Sequence, residues 1–432
     1  MEKLYLGVGR DVITPKIGCR LRGYSRNIFS EKVEDDLTAT AFYFTQGEKK
    51  ALMVSLTLCN IRVSLAETLL NEIEKRFGVP KECCTLSCVH THSGPDVMGS
   101  IDTDDSDFEY RDEIFIPRLF SAIEKAVSRT QPVKVGVSFG ESLVGVNRRE
   151  ITLGGKIILG QNPWGCFDPR MTVISFKNDK DECVANMVHY TCHNTAAGQN
   201  HEITRDWCGV MTDALERFSG GVTAFFNGPE GDVGPRLSNG ETKGDHAGKK
   251  GDIRCVYELG GVASCDAVRI FRKIYDYQDV CLRAGTGILR LPLKKRLDEK
   301  TARELLARTD PEREFERNYY KRVIAACEAG APEEDHSDIG QRVIALGNVV
   351  FASFPFEMFS EVGLRVQKEF TDKTVLCLGL TNGANGYFAT RDAICRGGYE
   401  VERFRCRHVQ EFCDDADESV VSGTVNNIKT MI

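Results

Sequence analysis

The sequence lacks several features that would assign it to a large class of proteins. Its 432 residues contain no apolar run that approaches about 18 residues, which argues against a membrane-spanning helix. The formal net charge is −7, so the chain lacks the basic surface on which nucleic-acid binding depends. Hydrophobic residues make up 41% and charged residues 28%, a composition that excludes wholesale disorder. We therefore expect a folded protein that acts on a small molecule, without nucleic acid and without stable membrane association.

The chain also lacks the features of an exported protein. Charged residues such as Lys3 and Arg10 interrupt the N-terminal segment, which has no apolar core of a secretory signal. The seventeen cysteines include no Cys-x-x-Cys pair, the usual mark of a redox or zinc motif. Four of them lie inside apolar runs: Cys59, Cys88, Cys192 and Cys377. We expect a cytoplasmic protein whose cysteines are reduced thiols, most of them acting as small apolar side chains.

Three stretches of the chain share a strand–helix–strand pattern with short links. In the first, strands are predicted over 51–58 and 84–89, and apolar residues recur every four positions between them. Ser64 and Glu67 predict a capping box at the start of the intervening helix. Because a helix joined by short links to two strands is typical of parallel pairing, this stretch predicts a βαβ unit.

The other two units repeat this arrangement. They are predicted over 183–190, 205–218 and 222–226, with Thr204 opening the helix, and over 349–354, 358–370 and 374–380. Polar residues follow the strands of all three units, and in open α/β sheets the binding site lies beyond the carboxyl ends of the strands. The sequence therefore predicts a mixed α/β fold, with sheets built largely from βαβ units and surrounded by helices, and a site at one rim.

Two charged stretches are predicted to be additions to this framework. Residues 236–255 are rich in glycine and charge, which favours a surface loop near the rim. Residues 294–338 are strongly charged with a helical pattern, which favours a solvated pair of helices inserted into the fold. Since no linker separates these stretches from the rest, we predict one large domain over 1–432.

The eight histidines include the best candidates for chemistry. His90 and His92 directly follow a predicted strand in the sequence His-Thr-His-Ser-Gly-Pro, and the Gly-Pro turn would present both imidazoles at the rim. His193 also follows a strand, where it is either a metal ligand or a core histidine. Glu357 follows an apolar run, where it either caps the next helix or binds a ligand. Two histidines and a carboxylate are typical of a catalytic zinc site. Structural or surface positions are predicted for the other five: His189, His201, His246, His336 and His408.

A loop rich in glycine and proline covers residues 227–235, directly after a predicted strand. Such loops let backbone N–H groups approach a ligand closely. The alternative is a tight connection that binds nothing. The loop lacks the Gly-Lys-Ser/Thr ending of a phosphate-binding loop, so a nucleotide is not expected there.

Taken together, these segments resemble the neutral/alkaline non-lysosomal ceramidase family. The matching segments occur in family order over nearly the whole chain, and the His-Thr-His-Ser-Gly-Pro element at 90–95 is the most specific. The others are 7–15, 147–149, 192–195, 231–233, 355–357 and 379–382 running on to Tyr387. The resemblance implies the fold of the family's catalytic domain. The C-terminal immunoglobulin-like domain that family members commonly add is not expected here.

The resemblance implies one zinc ion per chain, held by His90, His193, Glu357 and Tyr387. It also implies roles for residues around that ion. His92 corresponds to a general base or oxyanion partner. Arg148, with Tyr399, corresponds to groups that stabilise the oxyanion. A substrate loop is expected from three further residues: Asn147, Asp232 and Gly234.

The sequence departs from the family pattern at Gly234, where family members have a serine in Gly-Asp-x-Ser-Pro. Asn194 replaces the proline of His-Pro-Thr, and Phe356 replaces the glycine of Pro-Gly-Glu. We therefore expect a zinc-dependent hydrolase that cleaves an amide or related acyl bond by attack of water, with a soluble substrate rather than membrane ceramide. The alternatives are an esterase or lactonase of the same type, or a zinc-containing binding or sensing protein. The retention of His92 and Arg148 argues against the last.

Overall fold

The computed structural model of the chain describes residues 2–24, 28–99, 106–238, 253–402 and 409–432. Its strands are β1 Leu4–Val12, β2 Lys32–Val33, β3 Thr38–Gln46, β4 Lys49–Leu56, β5 Cys84–Cys88, β6 Gln131–Glu141, β7 Gly145–Ile151, β8 Ile157–Asn162, β9 Arg170–Asn178, β10 Cys183–Tyr190, β11 Glu202–Ile203, β12 Val222–Asn227, β13 Val233–Pro235, β14 Leu282–Pro292, β15 His336–Leu346, β16 Val349–Ser353, β17 Glu357–Met358, β18 Thr374–Leu378 and β19 Tyr387–Phe388. Its helices are α1 Val63–Phe77, α2 Phe108–Tyr110, α3 Ile116–Ser128, α4 Trp207–Ser219, α5 Arg254–Phe271, α6 Glu299–Arg308, α7 Glu314–Glu328, α8 Ser360–Lys368, α9 Arg391–Arg396, α10 Tyr399–Glu402 and α11 Ala416–Met431.

The largest sheet has eight strands in the order β12-β10-β9-β6-β1-β3-β4-β5. Its two edge pairs, β4 with β5 and β10 with β12, are parallel. Helices α1 and α4 make the crossovers, so the first two predicted βαβ units lie at opposite edges of one sheet. The strand pairs between them are antiparallel.

A second sheet has the order β14-β15-β16-β18. Its β16 and β18 are parallel and are joined through α8, as predicted for the third unit. One apolar cluster contains buried side chains from both sheets, such as Phe42 and Phe176 from the first and Ile344 and Phe351 from the second. The two sheets therefore share a core. The structure confirms the predicted mixed α/β architecture.

The charged insertion forms the predicted pair of helices, α6 and α7. They connect β14 to β15, which pair in register from Leu282 with Leu346 to Pro292 with His336. The predicted boundary at residue 338 is too late, because residues 336–338 already belong to β15 and bond to β14. Of the other predicted insertion, residues 239–252 lie outside the described residues, as do His246 and His408.

Two predicted helix caps are wrong. Helix α1 begins two residues earlier than expected, with Arg62 as an extended N-cap, so Ser64 lies inside the first turn instead of at the cap. Helix α4 is opened by Asp206 instead of Thr204: the Asp206 carboxylate accepts a hydrogen bond from the Trp207 amide. Among the described residues, no helix combines the length and the apolar character that crossing a bilayer requires.

Candidate metal site

Residues from the three βαβ units meet at one point of the structure. His90 follows β5, His193 follows β10, and Glu357 lies in the segment that follows β16. Their candidate ligand atoms all lie within 4.8 Å of one another. A bridge between Thr91 and Asn194 joins the segments that follow β5 and β10, so residues far apart in the sequence form one cluster.

Backbone carbonyls determine which nitrogen each histidine presents to the cluster. The His90 Nδ1 lies 2.9 Å from the Cys59 carbonyl oxygen, and the His193 Nδ1 lies 2.9 Å from that of Glu230. Because a carbonyl can only accept, Nδ1 carries the proton on both rings and Nε2 keeps its lone pair. Both Nε2 atoms lie 3.5 Å from Oε2 of Glu357. The two rings are thus oriented as metal ligands are.

Two atoms of this cluster are buried without a hydrogen bond. Among the described residues, neither His193 Nε2 nor Glu357 Oε2 has a hydrogen-bond partner. His193 is 0% and Glu357 6% exposed, so water has little access to either. A buried polar atom without a partner costs free energy, and a metal ion would satisfy both atoms at once. Two imidazole nitrogens and a carboxylate fit zinc better than magnesium or calcium, which prefer oxygen ligands.

Two of the three residues, His193 and Glu357, have the protonation state that metal binding requires. Burial lowers the pKa of His193 to about 3, and the Arg148 charge acts in the same direction, so this imidazole is neutral. Burial opposes a charge on Glu357, but the two histidines hold its pKa well below the usual range. His90 differs: burial opposes its protonation, yet Cys59 and Glu357 raise its pKa well above the usual value. A proton on His90 would therefore compete with a metal ion.

His92 lies beside the cluster and is more exposed than its neighbours. Its Nε2 is 3.2 Å from that of His90, and its ring is half-buried whereas those of His90 and His193 are buried. The Tyr24 ring packs edge-on against it at 4.8 Å between centroids. Gly23 lies so close that a Cβ there would be 2.2 Å from Cγ of His92. Burial lowers the pKa of His92 well below its usual value, and a charge on His90 acts in the same direction, so the ring is neutral and can accept a proton.

Arg148 reaches the site from β7 through two buried contacts. Its Nη2 donates to Tyr387 Oη at 2.9 Å, and its Nε donates to Glu400 at 3.0 Å. The other carboxylate oxygen of Glu400 accepts from Arg149 Nη1 at 2.8 Å. Glu400, which is 2% exposed, was not among the predicted site residues. Two successive arginines in a strand indicate that a carboxylate pairs with them, but the sequence does not indicate which acidic residue supplies it.

Tyr387 and Tyr399 lie on the same side of the site. Strands β17 and β19 place Tyr387 directly opposite Glu357. The two tyrosine rings meet edge-on, with centroids 6.3 Å apart. Burial raises the pKa of Tyr387 well above its usual value, while the neighbouring Arg148 lowers it. The structure therefore places Tyr387 next to Glu357 and Tyr399 next to Tyr387.

The three residues predicted to form a substrate loop lie next to Arg148, on β7 and on the 227–235 loop. Asn147 donates to the Asp232 carboxylate at 3.2 Å, and the other oxygen of Asp232 accepts from the Ser360 amide at 2.8 Å. These bonds hold β7, the 227–235 loop and the start of α8 together. At Gly234 a Cβ would lie 3.5 Å from Cβ of Arg148, an ordinary contact, so the site has room for a small side chain.

Glu230 is a second residue that sequence reasoning missed. It lies in the 227–235 loop, is 0% exposed, and its carbonyl oxygen orients His193. Burial raises the pKa of Glu230 to about 8; the charge of His90 opposes this rise and that of Glu357 adds to it. A glutamate in a loop of glycine and proline is usually solvated, so the sequence carries no signal of this burial.

The fold is similar to that of neutral ceramidases of known structure. The neutral ceramidase from Pseudomonas aeruginosa matches with a TM-score of 0.73 and 18% identity, over 98% of this chain and 74% of that chain. A structure described as a ceramidase complexed with C2 matches with a TM-score of 0.73 and 17% identity, over 100% and 76% of the two chains. No protein-family model and no curated protein sequence matches the chain. The predicted ceramidase-like fold is confirmed, and at this identity the similarity concerns the fold alone.

Proposed function

We propose that this chain is a zinc-dependent hydrolase that cleaves an amide or related acyl bond in a soluble small molecule. One zinc ion per chain would be held by His90, His193 and Glu357, with Tyr387 as a fourth ligand. The observation that carries this proposal is the pair of buried ligand atoms without partners, His193 Nε2 and Glu357 Oε2. The fold supports it, because the solved structures that share it are described as ceramidases, and ceramide is an N-acyl amide.

The remaining catalytic and positioning roles belong to residues of the chain itself. A divalent cation at this position would supply a Lewis acid that polarises the substrate carbonyl and makes water more acidic. His92, neutral and half-buried beside the cluster, accepts the proton of the attacking water and returns it to the leaving group. Arg148 and Tyr399 stabilise the negative charge that develops on the carbonyl oxygen. Asn147 and Asp232 keep the strand of Arg148 in place.

Metal analysis combined with a substrate screen tests this proposal directly. We expect the purified protein to contain about one zinc ion per chain, because the two groups of possible ligands among the described residues, Cys59 with His90 and His92 and His90 with His193 and Glu357, share His90. A panel of N-acyl compounds, esters and lactones would then be offered to the metal-loaded protein and to a chelator-treated sample. Hydrolysis of amides that requires the metal supports the proposal. A protein that binds zinc and hydrolyses none of these classes would be a binding or sensing protein instead.

One observation favours a membrane lipid as the substrate. The hairpin of β7 and β8, which carries Arg148, exposes several large apolar side chains: Ile151 by 51%, Leu153 by 111% and Leu159 by 45%, with Trp164 just beyond it at 95%. Exposed leucine and tryptophan are typical of surfaces that enter a lipid interface. Long-chain ceramide in a membrane is therefore the second candidate substrate.

We expect a soluble N-acyl compound to be hydrolysed with a higher kcat/KM than long-chain ceramide presented in vesicles. The net charge of −7 disfavours approach to anionic lipid, and the exposed hairpin is small. The comparison would use the same acyl amide bond in a short-chain soluble form and in phosphatidylcholine vesicles with and without phosphatidylserine. The second candidate would be established by faster turnover in vesicles than in solution. This advantage should be lost when Leu153 and Trp164 are replaced with serine, and kept when the exposed Ile288 is replaced.

We expect hydrolysis to proceed without an acyl-enzyme, because Gly234 offers no side-chain nucleophile where the family serine stands. Rapid-quench kinetics should show no burst of leaving group and no acylated protein. Gly234→Ser should fold and bind metal normally, since its Cβ would meet Arg148 at an ordinary distance. Its activation free energy should change by no more than about 2–4 kcal/mol, which is the stabilisation that one hydrogen-bond donor supplies in a transition state. An acylated wild-type protein would contradict the water mechanism.

A further inference from the structure

Glu400 is a buried carboxylate that two neighbouring arginines share. It is 2% exposed, and its oxygens accept from different residues: Oε1 from Nε of Arg148 at 3.0 Å and Oε2 from Nη1 of Arg149 at 2.8 Å. Both arginines are buried as well. Arg149 also donates from Nη2 to two backbone carbonyls, those of Ala393 and Gly397. The three charged side chains depend on one another, since a buried charge that loses its partner is costly.

The pairing of β7 with β8 is irregular at the position of Arg148. Asn147 pairs with Asn162 of β8, whereas Arg149 pairs with Leu159, so Arg148 alone lies opposite two residues of β8. Successive side chains of a regular strand point to opposite faces of the sheet. Bulges bend a strand pair and re-aim its side chains, and they are common next to active sites. A bulge at this point explains how two successive arginines reach one carboxylate.

The guanidinium of Arg148 is held on two sides. Its Nε donates to Glu400, and its Nη2 donates to Oη of Tyr387 at 2.9 Å. Tyr387 in turn lies opposite Glu357 in the pair of β17 and β19. Glu400 directly follows Tyr399 in α10. Glu400 therefore connects the two groups to which we assign the stabilisation of the oxyanion, Arg148 through its side chain and Tyr399 through the backbone.

An arginine side chain has several rotatable bonds, and a group that stabilises a transition state is most effective when it is held in place before the reaction begins. We propose that Glu400 is a positioning residue that holds the Arg148 guanidinium towards the developing oxyanion and does not itself contact the substrate. Arg149 satisfies the second carboxylate oxygen, so the three side chains together keep one positive charge. That charge favours a negatively charged transition state over a neutral substrate. This inference rests on the proposed function, in which Arg148 stabilises the oxyanion.

A double-mutant cycle tests whether Glu400 acts through Arg148. On the amide of the panel that the wild type hydrolyses fastest, Glu400→Gln should lower kcat by about 10²-fold, the typical cost of a misplaced catalytic group. KM and zinc content should stay close to those of the wild type, because the lost interaction is made in the transition state. Arg148→Ala should lower kcat by at least as much. Adding Glu400→Gln to Arg148→Ala should lower kcat little further, because the group that Glu400 positions is already absent.

Asp417→Asn is the matched control, since Asp417 is also a buried carboxylate and accepts from Arg365 at 2.7 Å. It should lower the melting temperature and leave kcat unchanged. If Glu400→Gln does not fold, Glu400→Asp, which is one methylene shorter, takes its place in the cycle with the same expected result. A Glu400 variant with the kcat of the wild type, or single losses that multiply in the double variant, overturns the inference and leaves the proposed function intact. A wild-type protein that hydrolyses nothing in the panel overturns both.

Discussion

His193→Ala is expected to abolish tight metal binding. The imidazole supplies one of two nitrogen ligands, and its Nε2 lies 3.5 Å from Glu357 Oε2 in a place with 0% exposure. Alanine removes this nitrogen ligand and leaves His90 and Glu357 as the remaining members of the cluster. Loss of a ligand should cost more than the 10–100-fold that the loss of a supporting group costs, so affinity should fall by more than about 100-fold. The measurement is zinc per chain after dialysis, together with the Kd from chelator competition.

His336→Ala is a matched control for this substitution. His336 begins β15, is only half-buried, and interacts with Asp335 and Asp338 rather than with the cluster. Its replacement should leave the zinc content unchanged. Circular dichroism of the His193 variant separates loss of the ligand from loss of the fold. If the protein keeps one zinc ion per chain after both His90 and His193 have been replaced, the site has been assigned to the wrong residues.

The periodicity of the sequence correctly places His90, His193 and Glu357 after the strands β5, β10 and β16. The rule for parallel strands does not explain why they meet, because β5 and β10 belong to opposite edge pairs of the eight-stranded sheet and are separated by five antiparallel pairs. His90 and His193 are 103 positions apart in a chain of 432 residues, and a bridge between the residues that follow them, Thr91 and Asn194, brings them together. Glu357 joins them from β17, which pairs with β19. That these three residues bind a metal stays a prediction.

Other parts of the site depend on contacts that no local pattern encodes. Glu400 pairs with Arg148 across 252 positions, and any of many acidic residues could have done so. Asp206 caps α4 from a backbone with a φ of 63°, a conformation that residue type alone does not predict. Its carboxylate also accepts from the amides of Ala196 and Ala197, which steadies the segment after His193. Tertiary contacts decide which residue occupies each of these positions.

His92→Ala is expected to remove most of the hydrolytic activity while the protein keeps its metal. General acid–base catalysis typically contributes 10²–10⁴-fold, so kcat should fall by about that factor. His92 can be separated from the ligands because it lies on the accessible side of the cluster, half-buried, with its Nε2 facing that of His90 at 3.2 Å. Zinc content should therefore match the wild type. Rates on an amide with a good leaving group should fall less, since that group needs little help from a proton donor.

The pH profile distinguishes a proton acceptor from a residue that merely shapes the site. A base works only when deprotonated, and burial, together with a charge on His90, lowers the pKa of His92. With zinc in excess, so that a proton on His90 does not displace the metal, the activity of the wild type should fall as the pH drops through that low pKa, and the variant should lose this acidic limb of kcat/KM. Full activity in His92→Ala, or loss of zinc along with activity, would refute the role given to this residue.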